Sequence, residues 1–329
     1  MTIVRIRKEK KYALVVDIGG TNTVVGLGNL KGKILKKNKI KTLPESGPDF
    51  LFLKIINVLK GFIKKFKLKK EDILFSSIGS PGPLDLKQGS IIHSVNLSGW
   101  EKFNLREPLE AAFKIPAFIE NDANLAGLGE SWLGAGKGKK MVLAFTLGTG
   151  VGGAVIIHDR IFNGSKGYGA ELGHITIYPD GPLCTCSNHG CLEAYISAGG
   201  ILRRVFENKK ALSKSILNKF SIETLTPFKV SLAAQKGDKF AINILKETGR
   251  YLGIALASYT NIFNPDVIIL GGGIMKDNKI VQNHAKKELR KRAFKIMSKD
   301  VKIALTKLGD NTPLIGAIKN GLNLYYGNL

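Results

Sequence analysis

Ala13-Leu14-Val15-Val16-Asp17-Ile18-Gly19-Gly20-Thr21-Asn22 decides how the chain is read. A short run of buried-strand residues ends in an acid and a glycine pair. A second apolar run, Thr23 to Leu27, follows before a turn at Asn29-Leu30-Lys31-Gly32. The order is strand, Gly-rich hairpin, strand, turn. The same layout returns downstream. Met141 to Phe145 is an apolar strand, Leu147-Gly148-Thr149-Gly150-Val151-Gly152-Gly153 the hairpin, and Ala154 to Ile157 the second strand. The layout is shared and the identities are not, as expected where each segment opens one half of a duplicated architecture. Two similar α/β lobes with a cleft between them follow from that repeat.

Gly-rich turns between strands let backbone N–H groups approach phosphates, because no Cβ intervenes and positive φ is allowed. Asp17, Gly19, Gly20, Thr21 and Asn22 form one candidate cradle; Gly148, Thr149, Gly150, Gly152 and Gly153 form the other. Asp17 is placed for a metal-bound water. Gly148, Gly150 and Gly153 satisfy G-x-G-x-x-G, but that dinucleotide fingerprint needs a helix next, and Ala154 to Ile157 reads as strand. Gly134 to Lys139 imitates only the composition of a P-loop.

Elsewhere, Leu51 to Phe66 has helical apolar spacing, and Ile73 to Ile78 is a strand entering Gly79-Ser80-Pro81-Gly82-Pro83. Ala117 to Glu120 is a strand ending at Asn121-Asp122-Ala123-Asn124, where Asp122 can cap the next helix. The chain is mainly helical from 199 to 258, and Val267 to Leu270 is a strand running into Gly271-Gly272-Gly273. The expected division is a small lobe of 1–121 plus about 311–329 and a larger lobe of 122–310.

The 329 residues carry 44% hydrophobic and 23% charged side chains, ordinary for a globular protein, and a net charge of +24, mostly from lysine. Base readout favours Arg, and no basic run is interleaved with aromatics, so nucleic acid is not an expected partner. The densest run, Lys60 to Lys70, lies on the polar side of a helix. No stretch is long enough to span a membrane. The basic segment Arg5 to Lys11 resembles a signal n-region, but the apolar run after it meets Asp17 within a few residues. A cytoplasmic location is expected.

All three cysteines lie together, Cys184, Cys186 and Cys191, with His174 ten residues upstream of the first. Three thiolates and an imidazole meet the needs of a tetrahedral structural zinc, although His189 could replace His174. Glu171 and Glu193 flank these ligands, where a zinc knuckle would fix them. Asp122 reads either as a helix cap or as a general base.

These residues resemble the ROK family of actin-like sugar kinases. The matching pieces are Asp17 to Asn22, Asn96-Leu97-Ser98-Gly99-Trp100, Glu120 to Asn124, Leu147 to Gly153, Gly169 to His174, and Cys184 to Glu193; Gly271-Gly272-Gly273 resembles the adenosine loop. The resemblance implies a two-lobed actin-like, ribonuclease H-like ATPase fold with an interlobe cleft. It implies that Asp122 deprotonates the sugar 6-hydroxyl while Asn121, Glu171, His174 and Glu193 hold the ring hydroxyls. Both hairpins and the 271–273 loop would hold Mg·ATP. His174 would serve twice, one ring nitrogen on zinc and the other toward the sugar. Ser187 departs from the family, which usually has Gly there. The expected activity is an ATP-dependent glucokinase, with N-acetylmannosamine or N-acetylglucosamine as alternative acceptors and a homo-oligomer as the expected assembly. A sugar-responsive repressor of the same family is disfavoured, because only about a dozen residues precede the first strand, too few for a helix-turn-helix.

Overall fold

The computed structural model describes residues 11–94, 97, 99–276 and 278–327. The basic segment 5–10 and the motif residues Asn96 and Ser98 lie outside the described residues. In chain order the strands are β1 (Tyr12–Ile18), β2 (Asn22–Asn29), β3 (Ile34–Lys41), β4 (Ile73–Ser80), β5 (Leu84–Asp85), β6 (Ser90–Ile91), β7 (Ala117–Asn121), β8 (Met141–Leu147), β9 (Val151–Ile157), β10 (Arg160–Ile161), β11 (Val267–Gly271) and β12 (Lys302–Leu305). The chain divides into two compact units. One holds 11–138, Asp159–Gly169 and 307–327; the other holds Lys139–His158 and Ala170–Thr306.

In the first unit the sheet order is β3-β2-β1-β4-β7. β1 pairs antiparallel with β2 and parallel with β4, and β4 pairs parallel with β7. Side chains alternate across a strand, so β1 feeds two cores. Leu14, Val16 and Ile18 pack with Leu51, Phe52, Ile55 and Leu59 of helix Pro48–Lys65. Ala13 and Val15 pack with Leu74, Phe75 and the Leu314, Ala317 and Ile318 of helix Thr312–Gly327. Covering both faces explains why β1 reads as a continuous apolar run from Ala13 to Val16. β3 lies at the end of this sheet and exposes Lys36, Lys37 and Lys39, which blunt its unpaired edge against strand addition.

Helix Asp122–Leu133, expected to open the second lobe, belongs to the first unit. The reason is its packing on helix Thr312–Gly327. A Cβ on Gly316 would lie 1.8 Å from the Leu125 carbonyl oxygen, so only glycine permits that approach. Glu130 on the same helix accepts the Lys307 and Leu308 N–H groups, each at 2.9 Å. The break therefore follows Gly138 instead of Asn121.

The second unit repeats the pairing scheme. β8 is antiparallel to β9 and parallel to β11, which is parallel to β12. Leu143, Phe145, Ile268 and Leu270 of these strands pack with Leu252 and Leu256 of helix Lys239–Phe263. No helix among the described residues is long and apolar enough to cross a membrane.

Candidate active site and metal centre

Strand register brings the first unit's carboxylates together. Asp17 pairs with Gly79, Gly79 with Glu120, and Ser80 with Asn121, so β1, β4 and β7 end at one level. The carboxyl ends of parallel strands are where α/β sheets hold ligands. A Cβ on Gly79 would lie 2.9 Å from Leu125 Cδ1, 3.5 Å from Asp17 Oδ1 and 3.7 Å from Asp122 Cα, so a glycine here lets Leu125 and the two aspartates close in on the end of β4. Burial, then the charge of Asp122, lifts the Asp17 pKa from 3.8 to about 7. Burial also raises Asp122, against the lowering effect of the Ala123 N–H that its Oδ1 accepts at 2.8 Å.

Asp122 is not the helix cap. Asn121 takes that place, its Oδ1 accepting from the Ala123 N–H at 2.9 Å and the Asn124 N–H at 3.3 Å. Asn and Asp cap about equally well, so the cap fell one residue earlier than expected. Behind it lies a network that sequence reasoning missed. Glu120 is buried, with its pKa raised by that burial, and accepts from the Asn121 N–H at 2.8 Å, Asn124 Nδ2 at 3.0 Å and Asn163 Nδ2 at 2.8 Å. Asn163 comes from a distant loop that no local pattern singles out.

A raised carboxylate pKa has a definite linkage sign. The folded chain keeps a proton on Asp17 that the unfolded chain releases, so this group's contribution is complete below 3.8 and is lost as pH rises through about 7. Melting temperature of the nucleotide-free protein is expected to carry that fall, and Asp17→Asn to flatten it. Melting curves at fixed ionic strength test this; identical pH profiles for both proteins would refute it.

In the second unit, Thr146 of β8 pairs with Gly271 of β11, so the hairpin 148–150 and the 271–273 loop leave neighbouring strand ends. Gly272 has φ +89°, and a Cβ there would lie 2.1 Å from the Leu147 carbonyl oxygen. The glycines of the two hairpins are different. None has positive φ, and what they supply is room: a Cβ on Gly150 would meet Glu193 Oε2 at 2.6 Å, whereas nothing lies within 4 Å of one on Gly148.

His174, Cys184, Cys186 and Cys191 converge, their ligand atoms all within 4.8 Å of one another. His174 Nδ1 is 3.6 Å from Cys184 Sγ, and Cys186 Sγ is 3.6 Å from Cys191 Sγ. Zinc–sulfur bonds of about 2.3 Å in a tetrahedron put ligand atoms a little under 4 Å apart, so the donor set fits zinc. Burial and the adjacent thiols push Cys191 up to about 12. His189 stands apart, its Nδ1 3.0 Å from the Gly181 carbonyl oxygen, so His174 is the imidazole of this group. Ser187 has φ +70°, the left-handed conformation that glycine adopts at less cost.

Glu193 joins this knuckle to the second hairpin. Its Oε2 accepts the Val151 N–H at 2.8 Å, and its Oε1 accepts the Thr185 hydroxyl at 2.8 Å. Glu171 is exposed and opens the short turn Leu172–His174, its carbonyl accepting the His174 N–H at 3.0 Å. The first unit thus gathers Asp17, Asn121 and Asp122. The second gathers the hairpin and 271–273 glycines at its strand ends, and Glu171 and Glu193 beside the four side chains that could hold a metal.

A family model described as ROK family matches residues 13–320. A protein of Halalkalibacterium halodurans named Glucokinase is 35% identical over 311 residues, 93% of this chain and 93% of that protein. A Glucokinase of Thermotoga maritima is 39% identical over 268 residues, 81% of this chain and 83% of its own. Among solved structures, a ROK family glucokinase from Streptomyces griseus in complex with glucose and AMPPNP superposes with a TM-score of 0.74 at 29% identity, covering 93% of this chain and 98% of that one.

Proposed function

This chain belongs to the ROK family, and from that premise we propose that it is an ATP-dependent glucokinase that phosphorylates the 6-hydroxyl of glucose. Its fold is accordingly of the mixed α/β, actin-like ATPase class. The observation that carries the reading is the pair Asp17 and Asp122, brought together at the strand ends beside Gly79. Asp122 is the general base: a carboxylate raised by burial is a better proton acceptor than one in water. Asp17 takes a metal-bound water of Mg·ATP. Gly19 to Asn22, Gly148 to Gly153 and Gly271 to Gly273 hold the nucleotide.

Asn121, Glu171, His174 and Glu193 hold the sugar hydroxyls. The cap role of Asn121 occupies its Oδ1, so its Nδ2 is the atom offered to sugar. His174 turns Nδ1 toward Cys184 and so has Nε2 for a hydroxyl. Zinc on His174, Cys184, Cys186 and Cys191 is structural, because four protein ligands leave no position for a reacting water. Phosphoryl transfer is mainly positioning and charge stabilisation, which suits residues spread over several strand ends. Cytoplasmic location and self-association into a homo-oligomer complete the proposal.

Coupled ADP release with Mg·ATP over glucose, mannose, N-acetylmannosamine and N-acetylglucosamine tests it. Glucose should give the highest rate. A high rate confined to an N-acetylhexosamine would overturn the sugar assignment. DNA retardation at physiological salt with no ADP release would point to the regulator.

A further inference from the structure

Thr42, just after β3, is fully buried, and both its N–H and its hydroxyl donate to the first hairpin. Its N–H donates to the Thr21 carbonyl at 3.1 Å, and its hydroxyl donates to the Gly19 carbonyl at 2.6 Å. Thr23, equally buried, has its hydroxyl 3.0 Å from that of Thr42. A hydroxyl has one proton. With that of Thr42 committed to Gly19, Thr23 is the donor between the two.

Peptide planarity converts these contacts into an orientation. In a trans peptide, the carbonyl of one residue and the N–H of the next point in opposite directions, and the described residues contain no cis bond. Drawing the Gly19 and Thr21 carbonyls toward Thr42 therefore turns the Gly20 and Asn22 N–H groups away from it. Among the described residues, the Gly20 N–H finds no protein acceptor. A donor so held, on the hairpin assigned to nucleotide, is set for an anionic oxygen.

We propose that Thr42 is a positioning residue for the nucleotide phosphates, fixing the hairpin carbonyls so that the Gly20 and Asn22 N–H groups face them. The proposal rests on the kinase reading above. It adds a residue outside every motif that led there.

Thr42→Val keeps the side-chain shape and removes the hydroxyl, leaving the Gly19 carbonyl and the Thr23 donor without that partner. KM for Mg·ATP should rise about tenfold, the scale of one buried hydrogen bond, while KM for glucose stays within about twofold. Thr42→Ser, which restores the hydroxyl, should return KM for Mg·ATP close to wild type. An unchanged KM for Mg·ATP in Thr42→Val, an equal rise in both KM values, or no rescue by Ser would overturn the proposal and leave Thr42 a packing residue. If Thr42→Val does not fold, Thr42→Ala carries the same expectation. Calorimetric ATP binding separates the two readings. Wild type that binds ATP but phosphorylates no sugar sinks the glucokinase assignment, while weaker ATP binding by the variant still upholds Thr42. Wild type that binds no ATP overturns both.

Discussion

Asp122→Asn is expected to lower kcat by about 10²–10⁴ while KM for glucose changes by less than about tenfold. In the proposed role the carboxylate accepts the hydroxyl proton as the new O–P bond forms, an interaction made in the transition state. Asparagine keeps the size and one acceptor, which can still take the Ala123 N–H now held by Oδ1. Helix Asp122–Leu133 keeps its start, because Asn121 is the cap. A collapse in rate can then be read as loss of the base. Steady-state kinetics beside a melting curve make the measurement; near-normal kcat would remove Asp122 from catalysis. Because the charge of Asp122 is the second cause lifting Asp17, the Asp17 pKa should also move down in this variant.

Replacing Cys184 with Ser should have the largest effect on stability. Loss of one of the four proposed zinc ligands is expected to cost at least about 3 kcal/mol, or roughly 6–12 °C in a domain of this size. KM for sugar should rise first, since Glu171 and His174 stand on the knuckle. KM for Mg·ATP should follow, because Glu193 holds both the Thr185 hydroxyl of the knuckle and the Val151 N–H of the hairpin. Metal analysis should find about one zinc per wild-type chain. A metal-free preparation with unchanged melting temperature and unchanged sugar KM would leave these cysteines as ordinary buried thiols.

The repeated strand–hairpin–strand was legible in the sequence because antiparallel neighbours joined by a few residues are a local signal. The cysteine cluster and the run from Glu120 to Asn124 were legible for the same reason. β3 was not: Ile-Leu-Lys-Lys-Asn-Lys-Ile-Lys buries little, and an edge strand with exposed lysines has no alternation to read. Helix Thr312–Gly327 was hidden by Gly316 and Gly321, which lower helix propensity yet fit close packing, one against the Leu125 backbone and the other against the Phe75 ring. The supporting contacts of the site were out of reach altogether. Thr42 meets Gly19 across 23 residues and Asn163 meets Glu120 across 43, and neither Thr42 nor Asn163 lies in a motif. Tertiary pairing, not local pattern, selects them.

The first unit is begun by residues near the start of the chain and finished by 307–327, whereas the second lies wholly within 139–306. On the ribosome the order of completion is therefore the reverse of the order of synthesis. Ala13, Val15 and Phe75 are made before any of the second unit, and the Leu314, Ala317 and Ile318 that cover them only after all of it. At about 5–20 residues per second, that apolar face, once Phe75 is made, waits roughly 12–50 s for its cover. During this interval the nascent chain offers a ready surface to chaperones, and a chain cut short before Lys307 would hold every residue of the second unit yet lack the strip that covers Ala13 and Val15.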